Sequence, residues 1–456
     1  MISTDALREL LPGGRVFDDP DVLTAHSRDR ATFCPAGTPL ALVRARDTGD
    51  VSAVLKWAHD NRVPVVPQGA RSGLSGAANA LDGCLLLSLE KMDAILDVDA
   101  EEQLAVVQPG VVNGVLAATV AEKGLFYPPD PGSRSISTIG GNVSTNAGGM
   151  CCVKYGVTGD FVRGLEVVLA DGRVMRAGRR TAKGVAGYDL TRLVVGAEGT
   201  LGVVTEVTVA LRPAEAQPLT AVAFFPEVVD AARTVTGYLA GGHRPSVLEF
   251  MDASSVKAVQ QIADLGFPEG MAAMLLVQSD RGDQAPADLA AFGEVARARG
   301  AAEVVVSDSA AEGEMLMQAR RLVGDAHEKL GKALLIDDVC VPRRHLADLV
   351  EGLQRIAEHH RVQVLCSGHA GDGNMHPVVA FDDADAAETE RAQQAFDAIM
   401  RLGLDLGGTI TGEHGVGQLK RAWLGRELDE TGLWASRAIK SALDPHNILN
   451  PTRVLP

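Results

Sequence analysis

Two short runs carry the side chains best suited to catalysis. His369-Ala-Gly-Asp372-Gly-Asn374-Met-His376 is punctuated by glycine and predicts a tight turn between two strands, and Glu413-His414 stands on a second glycine-flanked turn, Thr411 to Gly417. Two imidazoles and a carboxylate on rigid loops can form a three-ligand divalent site with an open position for substrate, the arrangement that metal catalysis needs. The plainer alternative is that these residues only bond backbone at turns, where His and Asp are common. His327, His345, His359 and His360 fall on predicted helix faces and read as solvated or packed side chains.

A different chemistry is written between Tyr127 and Gly149, YPPDPGSRSISTIGGNVSTNAGG. Prolines 128, 129 and 131 bar a regular helix at its entrance, and Gly140, Gly141, Gly148 and Gly149 permit close backbone approach. Ser135, Ser137, Thr138, Asn142, Ser144, Thr145 and Asn146 supply neutral donors and acceptors suited to a large polar heterocycle and its pyrophosphate. A solvated surface loop is the bland alternative. The second such stretch is VPVVPQGARSGLSG, a buried strand at 63–66 running into a loop that offers backbone N–H groups at Gly69, Gly73 and Gly76 to a diphosphate. It lacks the closing Gly-Lys-Ser/Thr of a Walker loop. Gly196, Gly199 and Gly202 have part of a dinucleotide fingerprint, but a strand follows where a helix is required, which argues against a nicotinamide site.

The elements that must hold these loops follow from periodicity. The segment from Asp50 to Asn61 predicts a helix with Val51, Val54, Leu55 and Ala58 on one face, between strands at 39–47 and 63–66. Residues 84–108 predict antiparallel strands, 111–123 a helix, 164–178 a hairpin turning at Asp171-Gly172, and 202–211 a further strand. Beyond Pro213 strands and helices alternate, with helices expected at 226–240, 253–264, 285–299, 311–331, 343–360 and 384–406. The expected division is 1–213, then 214–408 as a second α+β domain, then 409–456 returning to the first.

With 456 residues, 46% of them hydrophobic, the chain can bury a large core. Its net charge of −16 and lack of a Lys/Arg block argue against nucleic acid or an anionic membrane as partner. No apolar run is long enough to span a bilayer, and MISTDALREL starts as an ordinary helix, so a cytoplasmic location is expected. Six cysteines without C-x-x-C spacing fit reduced thiols.

Taken together, residues 64–80, 127–156, 196–206, 369–376 and 411–417 resemble the flavin-dependent 2-hydroxyacid dehydrogenases of the vanillyl-alcohol-oxidase-type fold, the family of the glycolate oxidase flavin subunit, D-lactate dehydrogenase and D-2-hydroxyglutarate dehydrogenase. The resemblance spans nearly the whole chain. It implies an α+β fold: a two-lobed FAD-binding domain and an α+β cap domain with an antiparallel sheet. It implies FAD with its pyrophosphate against Pro67, Gly69, Arg71, Ser72, Gly73, Leu74 and Gly76. The ring system would lie near Pro131, Gly132, Ser137, Thr138, Gly140, Gly141, Asn142, Thr145, Asn146, Gly148 and Gly149. Tyr155, Glu198, Gly199, Gly202, Val203 and Asn450 complete the implied cofactor set. Some relatives tether FAD through a histidine in the first loop; QGARSGLSG has none, so the implied flavin is held non-covalently.

The resemblance further implies a divalent metal, zinc foremost, on His369, His376 and Glu413, with His414 as base, Asn374 beside it in the catalytic set, and Arg320 gripping the substrate carboxylate. Met317 stands where relatives often have Trp. The implied reaction passes a hydride from C2 of a small 2-hydroxy acid to flavin N5. In the D-2-hydroxyglutarate branch a lysine two residues before the aspartate meets the second carboxylate; aligned through Asp338-Val-Cys-Val-Pro342, that position is Ile336, and Gly324 replaces a hydroxyl-bearing residue. A monocarboxylic D-acid of the D-lactate or glycolate type is therefore expected. The alternatives are D-2-hydroxyglutarate, a flavin oxidase of alcohols or sugars on the same fold, and a binding protein without turnover. The acceptor stays open among quinone, cytochrome, electron-transfer flavoprotein and oxygen, and a homodimer is compatible.

Overall fold

The computed structural model describes residues 4–31, 33–263 and 266–456. The chain forms two compact units, one made of Met1–Gly148, Val157–Ala214 and Glu413–Pro456, the other of Gly149–Gly156 and Glu215–Gly412. The segment 149–156, expected with the first domain, clusters with the second unit, which runs on to Gly412.

In the first unit, a sheet is ordered Val16–Phe17, Ala41–Arg44, Leu85–Ser88, Val65–Gln68, the last three strands parallel. The helix Thr48–Asn61 makes the crossover. Asp47 caps its start by accepting from Asp50 N–H, Arg62 ends it in the left-handed region at φ 55, and Val51, Val54, Leu55 and Ala58 are buried as their spacing requires. The run at 84–92 was expected to pair antiparallel with the strands after it. Leu85–Ser88 instead joins the parallel sheet and is buried along its whole length. A strand covered on both faces loses the alternation that would reveal its partner.

The second sheet of this unit is antiparallel, ordered Ile95–Asp99, Leu104–Val107, Val203–Ala210, Val162–Val168, Val174–Gly178, and its last two strands form the hairpin whose Gly172 has φ 86. The C-terminal segment closes on the parallel sheet: Asn450 N–H donates to Val65 O at 2.8 Å. The polar stretch 127–149 also differs from an extended loop, for Ile139–Thr145 is helical. Thr138 Oγ1 caps it at Gly141 N–H and Asn146, at φ 51, ends it. Gly140 allows this helix to lie on Pro109, where a Cβ would stand 2.4 Å from the ring.

The second unit is built on one antiparallel sheet, ordered Glu303–Val306, Leu219–Phe225, Ala273–Ser279, Val247–Asp252, Gln363–His369, Asn374–Phe381, Ala333–Ile336, with Val339–Cys340 also paired to Asn374–Phe381. Met251, Met274, Leu276, Met317, Val323 and Leu365 belong to its core. The helix expected over 311–331 is two, Ala310–Arg321 and Val323–Glu328. That expected over 253–264 is Ala253–Gln260, and position 264 lies outside the described residues; the helix expected from the N-terminus runs Asp5–Leu10, and positions 1–3 lie outside the described residues. Among the described residues no helix is long and apolar enough to cross a membrane.

Candidate active site

Within the first unit the two glycine-rich stretches meet. A Cβ on Gly69 would stand 2.5 Å from Thr138 Oγ1, and one on Gly199 (φ 71) 2.9 Å from Pro67 Cγ. Both glycines are demanded by close approach. Arg71 takes φ 55 in the same loop, and its Nη1 reaches Glu90 Oε1 at 3.4 Å. The segment after Leu190–Val194 is laced to the helix Ile139–Thr145, with Gly196 N–H donating to Val143 O (2.9 Å) and Glu198 N–H to Ser144 O (2.8 Å). Asn450 Nδ2 donates to Glu198 O at 2.8 Å and Ala77 O at 3.0 Å. Residues separated by hundreds of positions thus form one cradle.

Glu198 is its buried acid. Its carboxylate accepts from Val416 N–H (2.8 Å) and Gly417 N–H (2.9 Å), and burial outweighs those donors, pushing its pKa up to about 7. In the same turn, Glu413 Oε1 lies 4.0 Å from His414 Nε2, and a Cβ on Gly148 would stand 2.5 Å from Glu413 Oε2. Four polar atoms of the cradle, Gln68 Oε1, Ser137 Oγ, Asn142 Nδ2 and Asn450 Oδ1, are buried with no hydrogen bond among the described residues. Such atoms are costly unless a ligand meets them, so the residues fit a large polar cofactor.

In the second unit, His369 ends one strand and His376 lies on its hairpin partner, across the turn at Gly373 (φ 82). Their ring centroids are 5.0 Å apart at 84°. Glu249, 1% exposed, accepts from His369 Nδ1 at 2.8 Å and from Arg320 Nε at 2.6 Å. Burial acts to raise the Glu249 pKa; its interactions with His369 and Arg320 outweigh it and hold the carboxyl below its ordinary range.

His376 Nδ1 lies 3.7 Å from Asp338 Oδ1, too long for a hydrogen bond. It is close to the roughly 3.4 Å that separates two ligands of one tetrahedral ion at about 2.1 Å each. These residues therefore fit a divalent ion. Asp338 is itself held, accepting from Thr411 Oγ1 at 2.7 Å. Asn374 is buried, and a Cβ on Gly412 would stand 2.5 Å from its amide. Tyr155, expected at the cofactor, belongs to this unit and donates its hydroxyl to Asp280.

Two family models match the chain: the FAD binding domain over residues 39–178 and the FAD linked oxidases, C-terminal domain, over residues 215–454. The chain belongs to the FAD-linked oxidases. This FAD-linked oxidase is similar to glycolate oxidase subunit GlcD of Bacillus subtilis (strain 168), with 40% identity over 458 aligned positions covering 100% of this chain and 97% of the relative. It is similar also to D-lactate dehydrogenase of Anaerostipes hadrus, at 32% identity over 99% of this chain and 96% of the relative. Among solved structures it shares its fold with p-cresol methylhydroxylase with substrate bound, at TM-score 0.80 and 19% identity, covering 99% of this chain and 96% of that one. The fold is thus of the vanillyl-alcohol-oxidase type, and the protein is an FAD-dependent oxidoreductase.

Two residues of the oxidase's site escaped the sequence. Glu249 is a carboxylate amid the apolar residues Val247, Leu248, Phe250 and Met251 of the strand Val247–Asp252, and a buried charge implies a partner. Asp338 served only to align Ile336.

Proposed function

We propose that this FAD-linked oxidase converts a small monocarboxylic D-2-hydroxy acid, D-lactate or glycolate or a somewhat longer aliphatic homologue, to the 2-oxo acid. The observation that carries the proposal is the state of Arg320. Glu249 takes its Nε, while Nη1 and Nη2 make no hydrogen bond among the described residues, so one edge of the guanidinium fork is left to receive two carboxylate oxygens. The names of the relatives support the same substrate class.

When bound, FAD supplies a hydride acceptor and a divalent ion makes the substrate hydroxyl more acidic. Arg320 fixes the carboxylate end. His414 takes the hydroxyl proton, a positioned base that typically contributes roughly 10²–10⁴-fold. His369, His376 and Glu413 are the proposed metal ligands and Asp338 joins them; two imidazoles with carboxylates favour zinc. Ser137, Asn142 and Asn450, with the loop Pro67 to Gly76, hold FAD without a covalent bond.

Ile336 sets the size of the acid. It ends the strand Ala333–Ile336 and packs against the apolar core, where a second carboxylate would lose its hydration without a cation in return. Gly324, with no side chain, offers no hydroxyl, although a Cβ there would meet no heavy atom within 4 Å among the described residues. Anaerobic flavin bleaching, followed by kcat/KM for D-lactate against D-2-hydroxyglutarate, tests this. A preference for the dicarboxylate sinks the monocarboxylate assignment and points to Arg321, which pairs with Glu314, or Lys332 as the missing cation.

A further inference from the structure

Glu249 has no role in the chemistry just described, yet it touches two of the residues that do. It lies on Val247–Asp252, a strand paired on both sides, by Ala273–Ser279 and by Gln363–His369. The register Phe250 to Gly368 and Met251 to Ser367, continued by one residue, sets Glu249 opposite His369. Arg320 arrives from the last turn of Ala310–Arg321. Each carboxylate oxygen is engaged by a different donor, Oε1 by His369 Nδ1 and Oε2 by Arg320 Nε, and at 1% exposure water does not compete.

We propose that Glu249 is a positioning residue whose one carboxylate fixes the tautomer of His369 through Oε1 and the orientation of the Arg320 guanidinium through Oε2. An ionised carboxylate only accepts, so Nδ1 of His369 must carry a hydrogen, and the lone pair of the neutral ring is then on Nε2, the nitrogen turned away from Glu249. A ligand nitrogen needs that lone pair. Arg320, held at Nε, presents its two terminal nitrogens as a fixed pair rather than as a mobile cation. A single buried side chain thereby couples the orientation of the carboxylate grip to the tautomer of His369. The Arg320 half rests on the substrate assignment above; the His369 half does not.

Glu249→Gln separates the two contacts. Its amide oxygen preserves an acceptor for Arg320 Nε, whereas its amide nitrogen can only donate toward His369. In 15N-histidine-labelled holoenzyme, with the His369 signal assigned by its loss in His369→Gln, Nδ1 is expected to be protonated in the wild type and unprotonated in Glu249→Gln. The dissociation constant for a 2-oxo acid such as pyruvate, read from the perturbed flavin absorbance, should be at least about tenfold weaker in Glu249→Ala, which removes both acceptors, than in Glu249→Gln, which keeps the one facing Arg320. Should the alanine variant not fold, Glu249→Leu, closer in volume, takes its place. An Nδ1 that stays protonated in Glu249→Gln overturns the His369 half, and equal binding by the glutamine and apolar variants overturns the Arg320 half. If the wild type binds no 2-oxo acid and no 2-hydroxy acid bleaches its flavin, the substrate assignment has failed, and the imidazole signal still decides whether Glu249 sets the tautomer.

Discussion

His327 makes the second unit sensitive to acid at the helix that follows Arg320. It lies on Val323–Glu328, only 4% exposed, its Nε2 is buried without a hydrogen bond among the described residues, and burial, aided by the Arg320 cation, lowers its pKa to about 4. In an opened chain the same imidazole has its ordinary value near ~6.5. Below that pH the open form binds a proton that the closed form refuses. Stability therefore rises with pH across this window, and His327's share is intact above about pH 6.5 and lost as pH falls toward 4. Between pH 7 and pH 4.5 the loss is about 2.4 kcal/mol, roughly 60-fold in the local opening constant. In a chain of two units a single unfolding midpoint is ill-defined, so the assay should be local. Hydrogen exchange of peptides covering 310–331, corrected for intrinsic rates, should show that gain in opening in the wild type and lose most of it in His327→Leu. If the two proteins gain opening equally between the two pH values, His327 does not titrate as its burial demands.

Two further outcomes follow from the site. His414→Ala should keep FAD and metal while flavin reduction slows at least about a hundredfold, the lower range for a lost base, and His376→Ala should lose metal as well as activity; metal analysis beside stopped-flow reduction checks this, and an emptied metal site in His414→Ala with a full one in Glu413→Ala would reverse the roles of those neighbours. Acid precipitation should release intact FAD into the supernatant, since no histidine stands in QGARSGLSG to tether it; flavin retained in the pellet would refute non-covalent binding.

Much of the local structure could be read in advance because its causes are local. The helix Thr48–Asn61 followed from its apolar spacing, the hairpin from Asp171-Gly172, and the turn between His369 and His376 from its glycines. The strand Val203–Ala210 after Gly202, which argues against a nicotinamide loop, was equally plain. The helix Ile139–Thr145 was missed because glycine and hydroxyl residues disfavour helices on their own, and what supports this one is a Thr138 cap and a seat on Pro109 thirty residues earlier in the chain.

By itself the sequence determined which chemistry the chain could perform: imidazoles and carboxylate on rigid turns, and glycine-rich loops lined with neutral hydrogen-bonding groups. Tertiary structure alone decided which of these groups meet and what each meeting does. Glu249 is 71 positions from Arg320 and 120 from His369, and no periodicity links them. Only the pairing of two strands and the docking of a helix end bring one carboxylate between both. Leu85–Ser88 likewise took its neighbours from the sheet and not from the strands that follow it. The physical reason is common to both cases. Residue type and spacing govern contacts within a few turns of chain, whereas partners across a sheet are chosen by the total burial of the fold, a property of no single stretch.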